Sequence, residues 1–231
     1  MRQLSTSLRK EELESLRNRL KSKSPPKNEW EEFRFEVNGY SGIVYRNGKV
    51  VYHEALVSLI ESVLTEDDCI EIGSDEAGKG EMEGPIVVAA VALDGEGRKF
   101  LRARGLLESK SVPKGRIEEL AGLIRKVSIS SHIKRISPEE LRELWNRGNL
   151  NDLLSIWHLE VVKEVLKDTE ACRIIVDSFD RRRLEEAFSQ IRGVEVIIES
   201  GADLKYPSVA AASILAKFEY QKSDKTGIKW I

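Results

Sequence analysis

The chain reads IGSDEAGKGEMEGPIVVAAVAL from Ile72 to Leu93. In this segment Asp75 and Glu76 follow a short apolar strand, and a glycine-rich turn leads into a second strand built from Val and Ala. Adjacent carboxylates at a strand end pack poorly, because burying an unpaired charge is costly. The segment therefore predicts a sheet with an acidic, functional edge.

The pattern on either side of this segment predicts an α/β domain over residues 69–231. Strands are expected first at 69–74, 86–93 and 126–136, where they can pair locally. Two later strands, at 172–178 and 194–200, alternate with helices. This order predicts a mixed sheet flanked by helices. Four helices are predicted in this domain. The first begins at Pro138, the second runs from a cap at Asn151 to about residue 167, and the last two span 181–191 and 206–221.

Residues 1–68 predict a separate small α+β module. An amphipathic helix is expected over 5–22, followed by a linker that contains Pro25 and Pro26. Residues 33–54 alternate between apolar and polar side chains and contain two Asn-Gly steps, which are typical of β-hairpins. A second helix is expected over 55–64, with the domain boundary near Asp68.

The composition is that of an ordinary globular protein, with 41% hydrophobic and 33% charged residues among 231. No apolar run approaches the roughly 18 residues of a membrane span, so no membrane association is expected. Cys69 and Cys172 are interpreted as unpaired thiols, which favours a reducing compartment. We expect a cytoplasmic monomer. A net charge of −2 does not itself indicate nucleic-acid binding.

Four acidic residues fall where predicted strands end or helices begin: Asp75, Glu76, Asp177 and Asp203. Neighbouring strand ends meet at one edge of an α/β sheet. Carboxylates gathered there would repel one another unless hard cations such as Mg²⁺ or Mn²⁺ neutralised them. Two such ions can support phosphodiester cleavage. Taken singly, however, an Asp at a strand end is more often a turn or helix cap.

The same residues resemble the type 2 ribonuclease H family, which comprises ribonucleases HII and HIII. The family pattern is Asp-Glu-Ala/Val-Gly-x-Gly followed by Gly-Pro and a small apolar strand. Further segments resemble family blocks in the family's order over about residues 70–222. They are ESKSVPKGR (Glu108–Arg116), NLNDLLSIWHLEVVKEVL, IIVDSF and ADLKYPSVAAASILAK (Ala202–Lys217).

The resemblance implies a ribonuclease H-like fold, with a divalent-metal endoribonuclease that cuts the RNA strand of RNA–DNA hybrids. The expected products carry 3′-hydroxyl and 5′-phosphate ends. It assigns two-metal binding and catalysis to the four carboxylates, Asp75, Glu76, Asp177 and Asp203. It implies substrate contacts by Gly78, Lys79 and Gly80 near the ribonucleotide 2′-hydroxyls. Lys110 and Ser213 are further substrate candidates, although close helix–sheet packing is the leading interpretation of Ser213.

The turn sequence Gly78-Lys79-Gly80-Glu81 differs from the Gly-Arg-Gly-Pro usual in ribonuclease HII. Glu81 and the N-terminal module, which resembles part of the TATA-binding-protein-like module of ribonuclease HIII, favour the HIII type. The family normally continues with another helical stretch, in which ribonuclease HII carries a junction-sensing Tyr. No residue of this sequence takes the place of that Tyr. Together with Glu81 and the N-terminal module, this leads us to expect poor cleavage at single ribonucleotides.

Two alternatives stay open at this stage. The chain could be a hybrid-binding protein with weak catalysis, although all four carboxylates are present. It could also be another two-metal phosphoesterase, although the order of the blocks argues against this. His158 is interpreted as a packed, hydrogen-bonded histidine. Within the N-terminal module, Arg34, Arg46 and Lys49 are candidates for phosphate contacts.

Overall fold

The computed structural model describes residues 2–107, 114–145 and 149–223. The chain forms two compact units. The first contains residues 1–67 together with 98–111, and the second contains 68–97 together with 112–231. The chain thus leaves the first unit beside the predicted boundary at Asp68 and returns to it over 98–111. The sequence pattern does not predict this return, because it places all of residues 69–231 in one C-terminal domain.

The first unit is built on a four-stranded antiparallel sheet with the order β1-β4-β3-β2. Residues 3–7 form a strand that pairs Leu4 with Tyr52, so the helix predicted over 5–22 is wrong at its start. Leu4 and Thr6 alternate into the core there, and period-two burial favours a strand. The elements are β1 (Gln3–Ser7), α1 (Lys10–Arg19), β2 (Glu31–Val37), β3 (Tyr40–Tyr45), β4 (Lys49–His53) and α2 (Val57–Glu61).

One face of this sheet is covered by the helices and the other is open. Phe35, Val44 and Val50 point to the covered face and pack in one cluster with Leu16 and Ile60 of the helices. The alternate residues of each strand remain partly or fully exposed. A half-covered antiparallel sheet of this kind offers a broad surface on its open side.

A buried ion network ties residues 98–103 into the first unit. The Glu12 carboxylate has no exposed side-chain surface and accepts hydrogen bonds from Arg102 at 2.9 Å and from the Thr65 N–H. Burial would raise the pKa of Glu12, but these bonds hold it below its ordinary value. Arg102 also pairs with Glu66, and the Tyr52 hydroxyl donates a hydrogen bond to the Ala103 carbonyl oxygen.

The second unit contains a five-stranded mixed sheet with the order β7-β6-β5-β8-β9. The strands β7, β6 and β5 pair antiparallel, whereas β5, β8 and β9 are parallel. The predicted mixed sheet flanked by helices is therefore confirmed. The strands are β5 (Glu71–Ala77), β6 (Ile86–Leu93), β7 (Ser130–Ile136), β8 (Arg173–Asp177) and β9 (Glu195–Glu199). Helix α3 (Gly95–Arg102) begins in this unit and continues into the first unit at residue 98. The other helices are α4 (Lys114–Val127), α5 (Pro138–Trp145), α6 (Leu150–Leu166), α7 (Arg181–Phe188) and α8 (Pro207–Lys222).

Two helices, α6 and α8, cover opposite faces of the central strand β5. Ile72 packs in one cluster with Leu154 and Val161 of α6. A side chain at the next residue, Gly73, would instead meet the α8 backbone, with an added Cβ only 2.1 Å from the Ser208 carbonyl carbon. Successive strand residues point to opposite faces, so Gly73 allows α8 to lie directly against the sheet.

Cys69 and Cys172 form a disulfide, with their Cα atoms 5.8 Å apart. The expectation of two unpaired thiols was wrong. Parallel pairing of β5 with β8 places Glu71 opposite Arg173, so the residues just before these strands also become neighbours. A sequence separation of 103 residues hides this proximity from any reading of the sequence alone.

Several helix boundaries differ from the prediction. The cap of α6 is Asn149, whose side chain accepts from the Asn151 N–H, and not Asn151 itself. Helices α3 and α4 were not predicted. No helix in the described parts of the chain combines the length and apolarity needed to cross a membrane.

Candidate active site at the ends of two parallel strands

Asp75 and Glu76 lie near the end of β5 and point to opposite faces of the sheet. Asp75 lies on the α8 side, where Ser213 is its neighbour. Glu76 lies on the α6 side, where its Oε2 is 3.1 Å from His158 Nε2. The alternation of strand side chains imposes this arrangement. The two carboxylates therefore approach the edge of the sheet from different sides.

Asp75 is buried, and its environment disfavours the charged form. Burial, followed by the charges of Glu76 and Asp177, raises its pKa well above the ordinary value. The Ser213 hydroxyl and the Glu76 N–H act in the opposite direction and stabilise the ionised form. Ser213 Oγ is itself buried, without a hydrogen-bond partner of standard geometry among the described residues.

Asp177 ends β8, which pairs in parallel with β5, and so lies at the same edge of the sheet. Its Oδ1 accepts a hydrogen bond of 2.8 Å from the Ala202 N–H. Burial raises the pKa of Asp177, and the charges of Asp203 and Glu76 raise it further against that hydrogen bond. Asp203 belongs to a short 3₁₀ helix, Ala202–Leu204, after β9. The four predicted carboxylates thus influence one another electrostatically.

Glu76 is held by two nitrogen-bearing side chains. His158, fully buried on α6, places Nε2 against Glu76 Oε2 and Nδ1 2.8 Å from Ser74 Oγ. Lys79 places Nζ 3.8 Å from the other oxygen, Oε1. The interpretation of His158 as a packed, hydrogen-bonded histidine agrees with this geometry. Its partnership with Glu76 was not predicted.

Phe179 forms an apolar wall beside this group. The Lys79 ammonium lies 3.9 Å from the centroid of its ring, within the range of a cation–π contact. The ring of His158 lies at a centroid distance of 5.6 Å from the same phenyl ring. Burial lowers the pKa of Lys79, whereas the charges of Glu76 and Asp180 favour its protonated form.

The two glycines of the turn after β5 differ in what they accommodate. Gly78 has φ +87°, and an added Cβ would lie 2.5 Å from the Pro85 carbonyl oxygen and 2.8 Å from the Tyr220 ring. The protein itself therefore requires glycine at residue 78. At Gly80, an added Cβ would meet no atom of the described structure within 4 Å. The fold does not explain glycine at that residue.

The carboxylates fit a hard divalent cation by their chemistry, since all four offer oxygen donors. Within residues 2–107, 114–145 and 149–223, however, no three Asp, Glu, His or Cys side chains are arranged to hold a metal ion. Their oxygens face protein donors instead, as described for Asp75, Glu76 and Asp177. The oxygen donors therefore fit a divalent cation by their chemistry, and the carboxylate side chains must rotate before they can coordinate one.

Most of the predicted site residues lie on elements that the structure describes. Gly78, Lys79 and Gly80 follow β5, and Ser213 lies on α8 beside Asp75. Lys110 lies outside the described residues. Sequence analysis missed the roles of Gly73, Phe179 and His158 around this site. Only the glycine carried a signal, because an isolated glycine inside a strand often marks a close backbone approach.

The fold and the acidic strand ends are those of a ribonuclease H-like nuclease, and comparison with known proteins identifies the family. Residues 72–224 match the model of ribonuclease HII, and the chain belongs to that family. Ribonuclease HII from Archaeoglobus fulgidus is 40% identical over 155 residues, covering 66% of this chain and 72% of the relative. The protein is an endoribonuclease acting on RNA–DNA hybrids, and the alternative of a mere binding protein is not favoured.

Solved structures extend this comparison. The PCNA:RNase HII complex from Archaeoglobus fulgidus matches with a TM-score of 0.59 and 41% identity, over 66% of this chain and 72% of that one. Bst-RNase HIII in complex with Mn²⁺ matches with a TM-score of 0.61 over 96% of this chain and 81% of that one. At 21% identity, the second match shows the fold alone. The predicted type 2 class is confirmed, and both branches share the fold.

Proposed function

We propose that Asp75, Glu76, Asp177 and Asp203 bind divalent cations, Mg²⁺ or Mn²⁺, as a two-metal site for hydrolysis of the RNA strand. The observation that carries this proposal is that Asp75, Glu76 and Asp177 lie near the ends of the paired parallel strands β5 and β8. Burial there, and then the charges of neighbouring carboxylates, raise the pKa values of Asp75 and Asp177. Such a cluster is costly without a counter-charge. The Mn²⁺ complex of Bst-RNase HIII supports the choice of ion.

When bound, the ions would supply Lewis-acid activation of the attacking water and of the leaving oxygen, giving 3′-hydroxyl and 5′-phosphate ends. The protein's own residues would hold this chemistry in place. The Ser213 hydroxyl and the Glu76 N–H favour the ionised form of Asp75 against the effect of its burial, and the Ala202 N–H orients Asp177. His158 fixes the side chain of Glu76. Asp75, Glu76 and Asp177 are thereby oriented by groups that do not react.

The glycine turn would recognise the ribonucleotide. The open space at Gly80 supports close approach of a nucleic-acid backbone, because no described part of the protein needs that space. Lys79 adds a cation to the same turn. Backbone groups at residues 78–80 would then contact the 2′-hydroxyl, the group that distinguishes RNA from DNA. Lys110 remains a candidate for a phosphate contact, and so does Ser213.

Cleavage assays with labelled substrates test the metal requirement and the substrate class. We expect Mg²⁺- or Mn²⁺-dependent cutting of a hybrid with several ribonucleotides, no cutting in excess chelator, and little cutting of double-stranded RNA. A duplex with one ribonucleotide should be cut poorly, because the turn differs from the ribonuclease HII pattern. Metal-independent cutting would refute the site, and efficient incision at a lone ribonucleotide would assign HII-type specificity.

The first unit, we further propose, binds substrate and takes no part in chemistry. Its open sheet face and the adjoining turn carry the predicted cations, although Arg34 is neutralised by Glu31 at 2.5 and 2.6 Å. Arg46 is exposed in the turn after β3, where its Nε donates to the Glu29 carbonyl. Lys49 points away from the core on β4. Arg46 is therefore the preferred phosphate contact, and Lys49 is a second candidate.

Replacement of Arg46 by Gln should weaken hybrid binding and lower the slope of log affinity against log salt by about one unit, as expected for one lost phosphate contact. The turnover rate at saturating substrate should stay unchanged. Arg19, exposed on α1 at the covered side of the sheet, provides the matched control as Arg19→Gln. Equal salt slopes for the two variants would rule out the proposed contact. Fluorescence anisotropy over a salt series measures the hybrid affinity and its salt slope for each variant.

We place the protein in the cytoplasm as a monomer. The disulfide removes the argument from unpaired thiols, so the cytoplasmic location rests on the presence of RNA–DNA hybrids inside cells. A monomer agrees with a site whose proposed ligands all come from one unit of one chain. Light scattering coupled to size exclusion would reveal a dimer if this is incorrect.

A further inference from the structure

Lys79 lies within the acidic site as a cation of the protein's own. Its Nζ is 3.8 Å from Glu76 Oε1, and its side chain is 29% exposed. Surface ion pairs of this length usually contribute little. This pair differs because the Glu76 side chain is only 12% exposed and lies close to other carboxylates.

A second contact holds the ammonium in this place. The Phe179 ring lies 3.9 Å from Lys79 Nζ, and a cation–π contact is strongest where water is largely excluded. The Asp180 carboxylate adds a further attraction. Lys79 therefore has a defined resting position beside Glu76, between a ring and two carboxylates.

The resting position conflicts with metal binding by Glu76. One carboxylate oxygen faces His158 and the other faces Lys79. A divalent ion that used Glu76 would bring two positive charges close to the ammonium, and such repulsion grows as the effective dielectric constant falls. Binding of an ion to Glu76 would therefore weaken the contact between Glu76 and the ammonium.

We infer that Lys79 is a built-in counter-cation that a divalent ion displaces from Glu76, and that the released ammonium then contacts a phosphate of the hybrid. The inference rests on the proposed metal site. Lys79 is tethered between Gly78 and Gly80, so its long side chain stays at the turn proposed to meet the substrate. Metal binding and hybrid binding would thereby favour each other, as linkage requires.

Calorimetric titration of Ca²⁺ or Mn²⁺ into the free protein tests the displacement step without any activity measurement. We expect Lys79→Met to bind the ion about tenfold more tightly than the unaltered chain, because no ammonium has to be displaced. Lys79→Arg should retain the original affinity. Lys167, which forms an exposed ion pair with Glu164 at the same spacing along the chain, supplies the matched control as Lys167→Met.

Hybrid affinity in Ca²⁺ and in chelator tests the second step, with a gel confirming that the hybrid stays intact. In the unaltered protein, Ca²⁺ should steepen the slope of log hybrid affinity against log salt by about one unit, as expected for one added phosphate contact. This increment should be absent from Lys79→Met and present in Lys167→Met.

The outcomes separate the two proposals. If the unaltered protein binds neither ion, the proposed metal site is wrong. If it binds them and Lys79→Met shows equal or weaker ion affinity, the counter-cation inference is overturned. An unchanged Ca²⁺-dependent salt increment in Lys79→Met would likewise refute the released phosphate contact.

Discussion

Asp75→Asn should reduce hybrid cleavage by at least about a thousandfold, which corresponds to ~4 kcal/mol of lost transition-state stabilisation. The variant removes a charged ligand from the proposed metal site and keeps the shape of the side chain. Burial and the charges of Glu76 and Asp177 make ionised Asp75 costly. The metal-free variant should therefore be at least as stable as the unaltered protein. Single-turnover cleavage and thermal unfolding measure the two effects.

A matched control for this variant is Asp168→Asn, because Asp168 is exposed and contacts Ser130 away from the acidic edge. This control should cleave at the normal rate. Mg²⁺ should raise the unfolding temperature of the control and not that of Asp75→Asn, since an ion that binds only the folded site stabilises it. Near-normal cleavage by Asp75→Asn would show that the site lies elsewhere.

Gly73→Ala should lower the free energy of unfolding by about 3 kcal/mol, because the new methyl group enters a fully packed interface. Its Cβ would lie 2.1 Å from Ser208 C and 2.2 Å from Val209 N, both of which are backbone atoms of α8. The helix would have to move away from β5. For a chain of this size the unfolding temperature should fall by roughly 6–12 °C.

Cleavage by Gly73→Ala should fall as well, because α8 also carries Ser213 next to Asp75. Gly122→Ala provides the matched control. Gly122 lies inside α4, where an added Cβ would meet no described atom within 4 Å. Alanine is the better helix former, so this control should be neutral or slightly stabilising. If both variants unfold at the same temperature, α8 does not lie as close to β5 as described above.

The strand pattern of the second unit could be predicted because its apolar runs are short and bounded by turns. Ile86–Leu93 contains only small and branched apolar residues, and every one of them is buried. The first unit was harder to predict. Gln3–Ser7 has only one large apolar side chain, and its strand exists because β4 lies beside it. Long-range pairing overrode a weak local pattern there.

The acidic site was predictable as a group and not in its detail. Strand ends that carry Asp75 and Asp177 were expected to meet, because parallel strands end at one edge of a sheet. The contact between Glu76 and His158 joins residues 82 apart in the sequence and depends on where α6 crosses β5. The cation–π contact of Lys79 with Phe179 likewise has no signature along the chain.

Part of α3, from residue 98 onward, belongs to the first unit although it lies between two segments of the second unit in the sequence. This arrangement constrains how such a chain could evolve. Arg98 and Arg102 find their carboxylate partners at Glu12, Glu66 and Asp67, all within the first unit. Recombination at residue 68 would separate these charges and leave Glu12 buried without its arginine. A breakpoint there is therefore unfavourable in either direction. An exchange of the N-terminal region would therefore have to carry Arg98 and Arg102 with it.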